Sequence, residues 1–456
     1  MPHKQNTTQE TTACPQQGSV LPKQGRPADE ILREMESLRH RDAHWQKGRT
    51  FSLVYHDTFE HLQLLRDAYG MFLAENALNP MAFPSLRKME NDVVAVCADL
   101  LSSGEGVVGS MTSGGTESLF LAVKTYRDLF AAKQRDAATP EMILPTTAHP
   151  ALLKSAHYLG VKPILVPPTA DFTADVQAMA QAITPQTAML VGSAPAYPHG
   201  VVDPIGPLAE LAKKHNLPLH VDACVGGWLL PFVRKLGYEV PPFDFAVDGV
   251  TSMSADLHKY GFTAKGASVV LYKTPELRKK QFFVYSGWPG GLFGSATVLG
   301  TRPGGAIAAA WAGLQALGEN GYLRIARTVM QTTQTFIEGI NAIPQLYVLG
   351  RPTCGVLAFA SRGPDLMAIA DQMEERGWHM DRQQHPSAIH LTITPAHAPV
   401  SAEYLADLRA STDHVCAHPE LSSQGVAAMY GMLMQVPDPQ MVDEFILNHF
   451  DALYRR

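Results

Sequence analysis

The sequence predicts an α/β fold in which a mostly parallel central sheet, covered on both faces, is followed by a smaller C-terminal α/β domain. Three observations predict it. From about residue 105 short apolar runs alternate with amphipathic helical stretches. The runs are almost continuously apolar, as strands buried on both faces are. After a long helical stretch beyond about residue 305, the alternation resumes on a smaller scale.

Residues 1–28 are rich in Gln, Thr and Pro and lack the apolar centre of a signal peptide, so they read as a disordered leader. Residues 29–104 read as an N-terminal helical segment. In it DEILREMESLRHRDAHWQKG (29–48) has helical apolar spacing, an acidic start and Gly48 as its stop; a second helix runs over about 57–76, before the Pro-broken NALNPMAFPS. Residues 105–310 read as the large domain, with strands at 142–145, 162–167, 188–193, 217–224, 250–256 and 267–273. Helices such as ALLKSAHYLG, VQAMAQAIT and IGPLAELAKKHN separate the earlier strands, so a ligand site is expected where the strands end. Residues 311–456 read as the small domain, carrying VLAFAS, DLMAIADQMEERG, AIHLTIT and a last helix from about 438.

Composition narrows the function. With 456 residues, 46% hydrophobic and 18% charged content and a net charge of −6, the chain is an enzyme-sized globular protein without the basic block of a nucleic-acid binder. Cys14, Cys97, Cys224, Cys354 and Cys416 are far apart and form no metal-ligand spacing, so no metal site is expected and a reducing cytoplasm fits. No apolar run reaches the length of a membrane-spanning helix.

Four features carry chemistry. Ser113, Gly114, Gly115 and Thr116 precede an apolar-periodic helix, whose first N–H groups would face an anion such as phosphate; an ordinary capped helix with a glycine turn is the alternative. The pattern is not that of a P-loop. His149 follows a strand, on a loop, where an imidazole could stack on a flat ring or be structural. Asp222 closes the apolar strand PLHVDAC and needs a cationic partner, either a protonated pyridine nitrogen or a structural ion pair. Lys259, beside His258 in SADLHKYGFTAKG, reads either as a loop lysine or as a buried amine whose desolvation lowers its pKa and frees it as a nucleophile. Together the four suit pyridoxal 5'-phosphate, which needs a phosphate site, a ring platform, an acid for its nitrogen and a lysine for its aldehyde.

The residues resemble those of the sphingosine-1-phosphate lyase family, within the pyridoxal-phosphate-dependent transferase fold type I group that also holds amino-acid decarboxylases. The resemblance runs from about residue 45 to the C-terminus. It is carried by TSGGTES (112–118), YPHGVVDP (197–204), LHVDACVGGWL (219–229), GVTSMSADLHKYGFTAKG (249–266), GTRPGG (300–305) and AAMYGM (427–432). The resemblance implies Lys259 as the Schiff-base lysine, Asp222 as the pyridinium partner and His149 stacked on the ring. It implies a cofactor phosphate held by Gly115, Thr116 and His258, with Thr301 supplied by a second subunit, hence a homodimer with active sites at the subunit interface. Tyr55, Tyr197, Lys265 and Tyr430 match positions that bind the substrate phosphate or assist proton transfer. Asn79 stands where the family usually has a histidine; it can donate a hydrogen bond but has no proton that titrates near neutrality. Eukaryotic relatives carry a membrane anchor that is not found in this sequence, so a soluble, cytoplasmic, bacterial-type member is expected.

By this reading the chain splits the Cα–Cβ bond of a phosphorylated sphingoid base into a fatty aldehyde and phosphoethanolamine, with Tyr197 or Lys259 as base or proton donor. A decarboxylase acting on an amino acid through the same cradle, and a catalytically silent scaffold, are the competing readings.

Overall fold

In a computed structural model, residues 21–102, 106–133, 139–428, 431 and 439–455 are described. The leader expected at 1–28 thus falls mostly outside the described residues, and so does Tyr430.

The N-terminal helices are α1 (Ala28–Leu38), α2 (Phe59–Met71) and α3 (Pro84–Leu101). The helix expected over 29–48 stops ten residues early, and two single 3-10 turns at 39–41 and 45–47 continue the chain. No residue of α1 is buried, so its apolar stripe gains no tertiary support, and Asp42 turns the backbone to an extended conformation. Gly48 does end the second turn, with φ +66°, and a Cβ there would lie 2.3 Å from the Ala396 carbonyl oxygen. The next residues cross to the small domain: Phe51 is fully buried in its core.

Seven strands form the main sheet: β1 (Val108–Thr112), β2 (Glu141–Pro145), β3 (Lys162–Val166), β4 (Thr187–Ser193), β5 (Leu219–Asp222), β6 (Val250–Ala255) and β7 (Ser268–Tyr272). Their order is β1-β7-β6-β5-β4-β2-β3, and only β7 runs against the others. All residues of β2 and β4 are buried, which is why those strands read as unbroken apolar runs. Strand β3 carries exposed Lys162 and Pro163, and it lies at the sheet edge, where a proline removes no ladder bond. Strand β1 was not expected. VGSMT has small residues and no alternation, and it forms because β7 offers a ladder so close that a Cβ on Gly109 would lie 2.5 Å from the Val270 carbonyl oxygen.

The sheet is covered by α4 (Gly115–Lys133), α5 (Ala151–Leu159), α6 (Val176–Gln181), α7 (Ile205–Lys214) and α8 (Leu230–Lys235), with α9 (Pro275–Lys279) following β7. A hairpin of β8 (Phe283–Tyr285) and β9 (Phe293–Ser295) leads to α10 (Gly304–Asn341), a long helix kinked at Gly318. Gly305 lets α10 approach α2 and Gly304 lets it approach the chain just after: Cβ atoms there would lie 2.6 Å from the Tyr69 ring and from Glu75 O. The boundary expected at 310 and 311 falls inside α10. Its residues Ile307 to Val329 pack into the main core, whereas Phe336 and Ile340 pack into a second one. That second core lies against an antiparallel sheet, order β10-β11-β13-β12, of β10 (Leu346–Val348), β11 (Val356–Ser361), β12 (Asp381–Gln383) and β13 (Ala388–Thr392). Helices α11 (Leu366–Glu375) and α12 (Ser401–Ala417) complete it, and α13 (Pro439–Tyr454) closes the chain.

Candidate active site

The parallel strands deliver their C-terminal ends to one edge of the sheet, where loops carry side chains into a common cleft. Behind β1 lie Gly114 and the start of α4; behind β2, His149; behind β4, Tyr197; at the end of β5, Asp222; and behind β6, Asp256, His258 and Lys259. These residues, with Gly115 and Thr116, line a cavity of about 340 Å³. That volume lies in the range of small-ligand pockets.

Each group is held by its neighbours. Asp222 Oδ1 accepts hydrogen bonds from Cys224 N at 3.1 Å and Ser254 Oγ at 3.3 Å. His149 Nδ1 accepts from Ala151 N at 3.2 Å, which fixes the ring at the start of α5. Burial lowers the His149 pKa, the nearby Asp222 opposing it, so the imidazole is neutral at neutral pH. His258 Nδ1 accepts from Ala267 N at 3.3 Å. Gly115 is required by the approach of two side chains: a Cβ there would lie 2.7 Å from Asp256 Oδ2 and 2.9 Å from Cys224 Sγ.

Lys259 departs from the expectation. Burial by itself lowers its pKa, but the Asp256 carboxylate, 3.1 Å from Nζ, outweighs burial and leaves the pKa raised. The amine is therefore a paired ammonium in the chain by itself, and not a freed nucleophile. Asp256, whose side chain is almost fully buried, was missed by sequence reasoning. Its signal was in plain view: VTSMSAD ends an apolar strand on a carboxylate, as PLHVDAC does, three residues before the lysine.

On the far side of Lys259, Tyr55 packs edge-on to Tyr260 with ring centroids 5.0 Å apart, and Lys265 Nζ lies 5.4 Å from the Tyr55 ring centre. Burial pushes the Tyr55 hydroxyl up to about 12. Burial and the charge of Lys259 push the Lys265 ammonium down to about 8. Tyr197 donates its hydroxyl to Asp381 Oδ2 at 3.2 Å, a partner from the small sheet that the sequence did not reveal.

Two predicted residues stand apart from this cleft. Asn79 and Thr301 are exposed and lie on one surface, because Ala77 N bonds Arg302 O at 2.9 Å and Asn76 bridges Pro303. Exposed Leu78, Met81, Val284, Trp288 and Leu299 belong to the same two chain segments and the hairpin before them.

The donor set fits pyridoxal phosphate: a glycine-opened helix N-terminus for phosphate, a strand-end carboxylate for a ring nitrogen, and a lysine between them. Fold and site together define a pyridoxal-phosphate-dependent enzyme of the decarboxylase class, and the pyridoxal-dependent decarboxylase conserved domain matches residues 13–362. The chain is 44% identical to a sphingosine-1-phosphate lyase of Oryza sativa subsp. japonica, over 93% of this chain and 80% of that protein. It is 42% identical to sphingosine-1-phosphate lyase 1 of Rattus norvegicus, over 95% and 77%. The structure of a Burkholderia pseudomallei sphingosine-1-phosphate lyase superimposes with a TM-score of 0.84 at 36% identity, covering 92% of this chain and 97% of that one. The chain belongs to the sphingosine-1-phosphate lyase family.

Proposed function

We propose that this protein cleaves the Cα–Cβ bond of sphingosine-1-phosphate or a close phosphorylated sphingoid base, releasing a fatty aldehyde and phosphoethanolamine. The observation that carries this reading over amino-acid decarboxylation is a second cationic corner. Lys265 beside Tyr55 offers a phosphate site separate from the helix N-terminus at Gly115, and an ordinary amino acid has no phosphate to fill it.

Pyridoxal phosphate, when bound, supplies the electron sink that makes a bond at the α-carbon breakable. Gly115, Thr116 and His258 would hold its phosphate, with Thr301 from a second copy; Asp222 would pair with the ring nitrogen, His149 would lie on the ring face, and Lys259 would bond the aldehyde carbon. Lys265, Tyr55, Asn79 and Tyr430 would fix the substrate phosphate, and so choose which substrate bond is presented for cleavage. Tyr197 holds a proton at its hydroxyl oxygen, because burial and the adjacent Asp381 carboxylate both raise its pKa. It would therefore meet the reacting β-hydroxyl as a protonated phenol. The working unit is a homodimer whose sites lie at the subunit interface. A cytoplasmic location suits the free Cys97, Cys224, Cys354 and Cys416; among the described residues no helix is long and apolar enough to cross a membrane.

The test is to incubate the pyridoxal-phosphate-loaded protein with sphingosine-1-phosphate and look for hexadecenal and phosphoethanolamine by mass spectrometry. Both products are expected from the wild type and neither from Lys259→Ala. Carbon dioxide release from an amino acid, with no aldehyde from the phosphorylated base, would overturn the reading in favour of a decarboxylase.

A further inference from the structure

Three side chains of the small sheet hold one turn of the cleft, Tyr197 and Pro198. Asp381 and Gln383 share one face of β12, as residues two apart on a strand do. Asp381 Oδ2 accepts the Tyr197 hydroxyl at 3.2 Å, and Gln383 Nε2 donates to the next carbonyl, Pro198 O, at 2.8 Å. His390 lies directly opposite Asp381 on β13, and its ring packs at a tilt of 31° on that of Tyr197 with centroids 4.2 Å apart. The other Asp381 oxygen, Oδ1, accepts from Ser52 Oγ at 3.2 Å, so the carboxylate is held from two sides. The neighbouring Arg382 is not its partner; it pairs with Asp371 and Glu374.

This arrangement resolves a chemical difficulty in the lyase reading. Cleavage requires the substrate's β-hydroxyl to lose its proton, and a phenol that already carries one cannot accept another unless it passes its own onward. Of the nearby groups, His390 is held neutral by burial at a pKa of about 4, but it faces the Tyr197 ring and not its hydroxyl. His149 meets the same ring edge-on at 6.1 Å, and Lys259 Nζ points to Asp256, 3.1 Å away. Asp381 is the acceptor in hydrogen-bond contact with the Tyr197 oxygen.

We propose that Asp381 is the proton-accepting and positioning residue behind Tyr197. As the β-hydroxyl O–H bond breaks, its proton goes to the Tyr197 oxygen while the Tyr197 proton moves to Asp381 Oδ2. The O–H electron pair becomes the second bond of the aldehyde carbonyl, and the Cα–Cβ pair stays with the α-carbon. The proton then passes back from Asp381 through Tyr197 to the α-carbon, which takes it up with the retained electron pair to complete phosphoethanolamine, and the carboxylate is restored for the next turnover. This inference rests on the lyase reading for its substrate, but the hydrogen-bonded pair itself can be tested without substrate.

The test uses the holoenzyme with Asp381→Asn, Asp381→Glu and Gln383→Ala. In Asp381→Asn, kcat for aldehyde formation should fall by about 100-fold, the usual size of a general-base contribution, with KM and the thermal midpoint little changed. Asp381→Glu, which keeps a carboxylate, should recover part of that loss. Gln383→Ala removes the other contact of the same strand to the same turn. If Gln383→Ala and Asp381→Asn lose activity alike, Asp381 is only a strut and the proposal fails; it fails equally if Asp381→Asn keeps kcat within about twofold, far below that general-base contribution.

The second readout needs no turnover. With 3-fluorotyrosine incorporated, the Tyr197 resonance is assigned by its loss in Tyr197→Phe and followed between about pH 4 and 9, across the carboxylate and imidazole ranges. Groups facing Tyr197 are Asp381, Tyr55, Lys259, His149 and His390. An acid-range inflection in the wild type that Asp381→Asn abolishes supports the pair. Absence of the inflection, or its persistence in Asp381→Asn, overturns it. If the fluorine titration succeeds while the wild type makes no aldehyde, the lyase reading has failed and the Tyr197–Asp381 pair has not.

Discussion

Lys259 and Lys265 show how much a few ångströms decide. Both are lysines of one short loop, and desolvation lowers the pKa of each. Lys259 has Asp256 at 3.1 Å and stays charged; Lys265 meets the positive charge of Lys259 instead and falls to about 8. The substrate phosphate gains its second charge as pH rises through about 6, and Lys265 is protonated below about 8. Substrate affinity should therefore be best between those limits and weaken as pH rises through 8, seen as a climbing KM. Lys265→Met should raise KM by roughly 10- to 100-fold, the worth of one charge-assisted hydrogen bond, and abolish the alkaline limb. A KM that still climbs through pH 8 in the variant would assign the limb to another group. The sequence marked both lysines as candidates, but it could not tell them apart, because their difference is the through-space distance to a carboxylate.

At the scale of elements, α4 does more than present its N-terminus. Glu117 in its first turn is buried; Oε2 accepts from Ser113 N at 2.6 Å, and Oε1 accepts from Val298 N at 2.8 Å and Leu299 N at 3.1 Å. One carboxylate thus ties the glycine turn before α4 to the segment that carries Thr301. Glu117→Gln would set an amide donor against backbone donors, and we expect about 1–3 kcal/mol of lost stability, measurable as a lower unfolding midpoint of the apoprotein. An unchanged midpoint would mean that water replaces the lost acceptor at no cost. TSGGTES made the helix start legible in the sequence, whereas the role of Glu117 was not, since its partners lie 181 and 182 residues away. Strand β1, which feeds the same turn, was hidden for a related reason. Its five residues, VGSMT, become a strand only beside β7.

At the scale of the whole molecule, the exposed position of Asn79 and Thr301 acquires meaning only if a second copy brings them to a cleft. Hybrid dimers test this. Lys259→Ala alone and Thr301→Glu alone should each be nearly inactive, the second because its carboxylate repels phosphate. Co-expressed, half the dimers are hybrids in which one of two sites combines an intact Lys259 with an intact Thr301, so about a quarter of wild-type activity should return. If Thr301 serves its own chain, each hybrid site keeps one defect and nothing returns. The contacts between the two halves of one chain point the same way, toward a site assembled from distant parts. Tyr260, next to Lys259, donates to Gly355 O at 3.0 Å and Ile393 O at 2.7 Å, which fastens the lysine loop to the small sheet.

What the sequence determined by itself was the chemistry that can be written locally. Strand-end Asp222, loop His149, the glycine turn at Gly115 and the His258–Lys259 pair each occur where a run of apolar residues stops, and the order of such stops along the chain is sequence information. What only the tertiary structure decided was every property that depends on a distance between remote residues. Asp256 keeps Lys259 charged, Asp381 holds the Tyr197 hydroxyl across 184 positions of chain, and the segments that carry Asn79 and Thr301 are joined by the Ala77–Arg302 hydrogen bond. The physical reason is that charge and hydrogen bonding act over a few ångströms of space, and sequence separation does not reveal which residues the fold will bring that close.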